Sequence, residues 1–210
     1  MEESPITFTS GDLTLEGLFA RPAGAGATPA VVVCHPHPMY GGSMDNNVVE
    51  AIVAATWRRG YATLRFNFRG VGASEGEYDG GEGEMADALA AVAFVAGQPG
   101  IERGAITLAG YSFGAAVAIR AGLSDPRVAR IIAVALPVAA MDSGVDRAAR
   151  KPVLIVSGDR DDYSPIAALD AAVRKLGAAA RLEVIAGADH FFGGYEPELA
   201  RVIEGALAGA

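Results

Sequence analysis

Cysteine occurs once in the 210 residues, at Cys34, so no disulfide can close within the chain. A reducing compartment suits such a chain, and the cytoplasm is the expected location. Positive charge is scarce: 17 Lys and Arg stand against 25 Asp and Glu, a net charge of -8. No Lys/Arg face is visible that would hold nucleic-acid phosphates or an anionic membrane surface, so neither partner is expected. No stretch reaches the ~18 uninterrupted apolar residues of a membrane span. The start, MEESPITFTS, is acidic and strand-like and lacks the basic and apolar segments of a signal peptide. Linkers, low-complexity tracts and internal repeats are also missing. One domain over residues 1–210 is therefore expected, with a small molecule as its partner; the oligomeric state is left open, a homodimer included.

What is present is a well-stocked core. Apolar residues make up 51% of the chain and charged ones 20%, and a domain of this size buries roughly 70% of the surface its unfolded chain exposes. ITFTSGDLTLEGLFARP alternates apolar and polar residues about a Gly-Asp turn, which predicts an antiparallel hairpin. Beyond the Gly/Ala/Pro loop at 21–29 the pattern changes to continuous apolar runs at Ala30–His35 and Tyr61–Phe68. Between these runs lies helical spacing over Asn46–Arg59, ended by Gly60. The alternation then continues: helix near Gly83–Ala96, strand Ala105–Tyr111, helix Phe113–Gly122, strands Val128–Val138 and Pro152–Gly158, helix near Pro165–Leu176, strand Arg181–Gly187 and a last helix near Pro197–Leu207. The fold class implied is α/β, a mostly parallel twisted sheet with helices on both faces. Only about a dozen residues separate Val138 from Pro152, too few for a cap subdomain, so an open site is expected.

Chemistry enters at Gly110-Tyr111-Ser112-Phe113-Gly114, a GxSxG that follows a strand and opens a helix. Reversal from strand to helix within one or two residues brings the positions flanking the serine close together, so both must be small. The serine is left at the tip, beside helical N–H groups that favour developing negative charge. A serine hydroxyl needs a base to remove its proton and an acid to orient that base. PVLIVSGDRDDYSP offers Asp159, Asp161 and Asp162 after one strand, and spacing alone does not choose among them. LEVIAGADHFFGG offers His190 after the last. Loops at the carboxyl ends of parallel strands converge, and histidine is suited to act as base and then acid near neutral pH.

HPHPMYGGSMDNNVV, LRFNFRGVGASEGEYDGGEGEMADA, LAGYSFGA, SGDRDDYSP and DHFF together resemble the α/β-hydrolase superfamily, in particular small lid-less bacterial hydrolases related to dienelactone hydrolase and simple carboxylesterases. The resemblance covers most of the chain and implies an α/β-hydrolase fold without a cap and a triad of Ser112, His190 and Asp161. It selects Asp161 because the family pattern after the acid-bearing strand matches Gly158, Asp161 and Pro165. It also implies an oxyanion hole built from the N–H of Phe113 and an N–H of the loop after the first parallel strand. His35 takes the histidine place of that loop and Pro36 replaces the usual glycine. The backbone N–H of His37 becomes the expected donor, with Met39 and Tyr40 as alternatives; Pro36 and Pro38 cannot donate.

His35-x-His37 is also a metal-ligand spacing, yet no third ligand motif accompanies it, so neither metal nor cofactor is expected. His35 reads as a structural histidine beneath its loop, Asn67 and Arg69 as organisers of loops near the site, and Cys34 and Trp57 as core. Tyr40, Tyr111 and Phe191, with Phe192, are expected to form an apolar wall for substrate. The activity implied is hydrolysis of small carboxylic esters through an acyl-serine. Thioesters, lactones and peptides suit the same triad, and a non-catalytic binding module is the rival from another class.

Overall fold

The protein is described by a computed structural model, which covers residues 1–24, 26–139 and 150–208. The N-terminal strands β1 (Ser4–Ser10) and β2 (Leu13–Ala20) pair antiparallel and turn at Gly11-Asp12, where Ser10 faces Leu13. The strand–helix alternation follows as β3 (Thr28–Cys34), α1 (Asn47–Arg58), β4 (Ala62–Phe66), α2 (Glu82–Ala96), β5 (Ile101–Tyr111) and α3 (Phe113–Ser124). It continues as β6 (Val128–Val134), β7 (Val153–Gly158), α4 (Ile166–Leu176), β8 (Ala180–Ile185) and α5 (Glu196–Leu207).

All eight strands join one sheet in the order β1-β2-β4-β3-β5-β6-β7-β8. The six from β4 to β8 along this order are mutually parallel, and β2 meets β4 antiparallel. This is the mostly parallel sheet with an N-terminal antiparallel hairpin that the alternation predicts. Its two faces bury separate cores, as the alternating side chains of a doubly covered sheet require. Val32, Leu64, Phe66 and Leu108 pack under α2, α3 and α4, whereas Val31, Val33, Ile132 and Val156 pack under α1 and α5. The order in which strands are added reverses between β3 and β5, with β4 laid on one side of β3 and β5 on the other, so a crevice opens between their carboxyl ends.

Where the elements depart from the sequence pattern, hydrogen bonds explain why. The strand expected over Tyr61–Phe68 stops at Phe66 because the Phe68 N–H donates to the His35 imidazole and the Asn67 N–H to the Glu16 carbonyl, so neither continues the ladder with β3. The strand expected to reach Val138 stops at Val134, where Ala135 takes a positive φ of 49° and donates instead to Val156. Trp57 is partly rather than fully buried on α1. A short 3-10 turn at Pro38–Tyr40 had no counterpart in the periodicity. Most of the short connection between β6 and β7, residues 140–149, lies outside the described residues. No capping element sits over the sheet among those described.

Candidate active site

β5 ends at Tyr111 and α3 begins at Phe113, leaving Ser112 alone to reverse the chain. Its backbone sits at φ 54°, ψ -118°, a conformation costing a non-glycine residue about 1–3 kcal/mol. The surroundings hold it there. Ser112 N–H donates to Val134 O on the neighbouring strand at 2.9 Å, and its carbonyl accepts from Ala115 and Ala116. A Cβ at Gly110 would collide with the backbone of Gly114, and one at Gly114 with the carbonyls of Cys34 and His35. The two glycines are thus required by contact, and the second presses the start of α3 against the end of β3.

The loop after β8 brings His190 to Ser112, with Oγ to Nε2 at 2.9 Å. Behind it, His190 Nδ1 stands 3.0 and 2.9 Å from the two carboxylate oxygens of Asp161, which sits in the loop after β7. Asp161 is the carboxylate that reaches His190: Asp162 is exposed, and Asp159 accepts the Gly187 N–H at 2.6 Å instead. Burial would raise the Asp161 pKa, but His190 and the Tyr163 backbone N–H outweigh it and hold the carboxyl below its ordinary value. An ionised, buried Asp161 fixes the imidazole with Nδ1 as donor, freeing Nε2 to accept from the serine.

Tyr111 lines the same cavity but is almost fully buried, and its hydroxyl donates to the His190 carbonyl at 2.9 Å. Burial, then the charges of Asp161 and Asp189, push the phenol further from ionisation. The residue before the serine therefore fastens the loop that carries the histidine, a link between positions 79 apart that no local pattern announces.

The loop after β3 is built differently. His35 is fully buried; its Nδ1 donates to Pro36 O at 2.6 Å and its Nε2 accepts from Phe68 N–H at 3.0 Å. Burial lowers its pKa to about 4 despite the Pro36 hydrogen bond, which favours the charged form. Both ring nitrogens are engaged by backbone. His37 Nδ1 accepts from Met39 N–H at 3.2 Å, and its carbonyl accepts from Tyr40 and Gly42. Of the three candidate donors, Met39 and Tyr40 thus already have acceptors, whereas the His37 N–H and the Phe113 N–H have none among the described residues. Burial also depresses the His37 pKa, with the Glu84 charge opposing. Its ring stacks among Tyr40, Tyr78 and Phe113 with centroids 4.8–4.9 Å away.

These loops enclose an open cavity of about 850 Å³ with Ser112, Phe113, His37 and His190 in its wall. Tyr40 and Phe191 stand at its rim, strongly exposed; Tyr163, absent from the sequence reading, lines it as well, while Phe192 points into the core. Asn67 and Arg69 lie outside the wall. Asn67 ties Met44 N–H to Glu16, and Arg69 grips the fully buried Asp87 through Nε and Nη2 at 3.0 and 2.7 Å. Arg65, which no motif flagged, gathers Glu3, Asp45, Glu50 and the Met44 carbonyl, fastening the far end of the His35–Met44 loop. Cys34 is wholly buried, and desolvation, then Asp87, keep its thiol protonated.

A family model described as X-Pro dipeptidyl-peptidase (S15 family) matches residues 13–179. Protein RP471 of Rickettsia prowazekii is 33% identical over 196 residues, covering 89% of this chain and 81% of that protein. An alpha-beta serine hydrolase homologue from Coxiella burnetii superposes with a TM-score of 0.88 at 35% identity, covering 99% of this chain and 98% of the other. XC6422 from Xanthomonas campestris, described as an a/b serine hydrolase without lid, superposes at 0.86 with 28% identity over 99% and 94%.

Proposed function

The chain belongs to the family described as X-Pro dipeptidyl-peptidase (S15 family) and to the α/β-hydrolase superfamily, and from that premise we propose that it is a serine hydrolase cleaving small carboxylic esters. The observation that carries this reading is the continuous line Ser112 Oγ, His190 Nε2, His190 Nδ1, Asp161, with steps of 2.9–3.0 Å, opening on a cavity that no capping element covers among the described residues. Ser112 Oγ attacks the ester carbonyl as His190 Nε2 takes its proton, and the negative oxygen is met by the N–H groups of Phe113 and His37. Collapse breaks the C–O bond, and the proton on His190 passes to the departing alkoxide. Water, deprotonated by the same imidazole, then releases the acid from the acyl-serine. No cofactor enters these steps.

The family match favours a second reading, removal of dipeptides from a peptide amino terminus. Recognition of a free ammonium calls for a carboxylate near the acyl site, and none lines the cavity among the described residues; esters are accordingly the first reading. The two are separated by assaying p-nitrophenyl butyrate beside Gly-Pro-p-nitroanilide on wild type and Ser112→Ala. Ester turnover lost in the variant, with fluorophosphonate labelling of Ser112 in the wild type, is the expected result. Unchanged turnover in Ser112→Ala would dismiss a serine mechanism, and turnover of the anilide alone would favour the peptidase.

A further inference from the structure

Apolar side chains left in water are gathered at one place. Six large ones are exposed among the described residues, and four of these, Met39, Tyr40, Tyr163 and Phe191, stand at or beside the cavity mouth. Such a concentration marks a surface that meets an apolar ligand. The described wall is built mainly of Pro, Gly, Tyr, Phe and Ala around Ser112 and the two histidines, a lining that suits a neutral portion of ligand.

Two of these residues are held in a particular way. Phe191 donates its N–H to Asp189 at 2.9 Å and its carbonyl accepts from Asn47 Nδ2 at 3.2 Å. Tyr163 donates its N–H to Asp161 at 2.9 Å and its carbonyl accepts from Val138 N–H at 3.1 Å. Both backbones are fastened on each side while both residues are 62% exposed. Each ring has one aromatic neighbour, His190, at centroid distances of 4.7 Å for Tyr163 and 5.6 Å for Phe191. By contrast, the His37, Tyr40 and Phe113 rings elsewhere in the lining are stacked through His37, and Tyr78 joins them from outside the lining.

Position decides which half of the substrate meets the two fastened rings. In the mechanism above, His190 Nε2 hands its proton to the departing oxygen, so the leaving group must lie against His190. We propose that Tyr163 and Phe191 form a leaving-group subsite for a neutral, planar aromatic alcohol of the benzyl type. This inference rests on the serine hydrolase reading and adds the substrate class to it. The acyl half, lying toward the self-stacked wall, is under no such demand.

The test pairs benzyl acetate with cyclohexylmethyl acetate, whose alcohols are nearly equal in size and acidity, so their ratio reads ring planarity rather than chemical reactivity. Wild type is expected to favour the benzyl ester by about fivefold in kcat/KM, as a ring-on-ring contact gives. In a Tyr163→Leu/Phe191→Leu double variant, which keeps apolar bulk, the ratio is expected to fall to about one. Ethyl phenylacetate against ethyl cyclohexylacetate puts the same contrast on the acyl side, where the ratio, whatever the intrinsic reactivities set, is expected to be the same in wild type and double variant. Equal wild-type rates for the first pair, a ratio for that pair untouched by the double variant, or a variant effect confined to the acyl pair each overturn the subsite while wild-type Ser112 still labels with fluorophosphonate. Failure of labelling together with failure on every ester would remove the hydrolase reading itself.

Discussion

The three histidines of the chain stand in two loops at the carboxyl edge of the sheet, and the loops use them in opposite ways. After β3, imidazoles serve the backbone: His35 accepts from Phe68 and donates to Pro36, His37 accepts from Met39, and the His37 N–H is left without an acceptor among the described residues. After β8, backbone serves the imidazole: Tyr111 fastens the His190 carbonyl, Asp189 caps the following N–H groups, and what the loop presents is Nε2. Residue type therefore says little until the partners of each ring nitrogen are known. A buried histidine with both nitrogens satisfied is a peptide-like strut; one with a single nitrogen satisfied by a carboxylate is poised to accept a proton.

The contrast breaks most visibly if the side chains are removed. His190→Ala is expected to lower kcat by ~10⁴-fold or more, whereas His37→Ala, which keeps the main-chain donor, lowers it by only about tenfold. Steady-state kinetics on p-nitrophenyl butyrate compare them, and equal losses would give the His37 ring a direct part in the chemistry. His37→Pro sharpens the point, because the His37 φ of -55° already suits proline, so the variant differs from His37→Ala chiefly in lacking the N–H. A further fall of ~10²- to 10³-fold in kcat at similar KM is expected, matching loss of one oxyanion donor worth about 3–4 kcal/mol.

pH separates the loops next. His35 titrates near 4 when folded and near 6.5 when free, so the unfolded chain binds the proton first on acidification. Its contribution is complete above pH ~6.5 and falls by about 3 kcal/mol as pH drops toward 4. Asp161, held below its ordinary carboxyl value, keeps its contribution above that value and loses it only as pH falls lower still. Urea unfolding at pH 7 and pH 4.5 is expected to show the loss in wild type and most of it gone in His35→Gln. The smallest effect belongs to Tyr111→Phe, which removes the hydroxyl that steadies the His190 carbonyl; about 1 kcal/mol of stability and a drop of ~fivefold in kcat are expected from melting and kinetic measurements.

The legible parts of this molecule are those written in short stretches. Strand-turn-helix around Ser112 is local, and so are the β-branched run before His35 and the SGDRDDYSP stretch, whose resemblance to the α/β-hydrolase pattern, not its spacing alone, selects the carboxylate that lies against His190. What escaped is held by partners far apart in the chain. Arg65 joins Glu3 to Asp45, Tyr111 reaches 79 residues to His190, and Asn47 holds Phe191 from 144 residues away. Nothing local in the sequence points to Tyr163, because only the folded loops bring its ring to His190. Tyr111, expected as a substrate contact from its nearness to the serine, is almost fully buried and fastens the His190 loop through its hydroxyl.

The turn at Ser112 has a consequence for how this chain can change by mutation. Its flanking glycines leave no room for a single added carbon, so each is surrounded by substitutions that disrupt the turn. The tip, by contrast, faces open cavity, where an exchange of one nucleophile for another meets little steric resistance. Inheritance is thus rigid in the bend and permissive at its point: new chemistry is reachable in one step, a new bend is not.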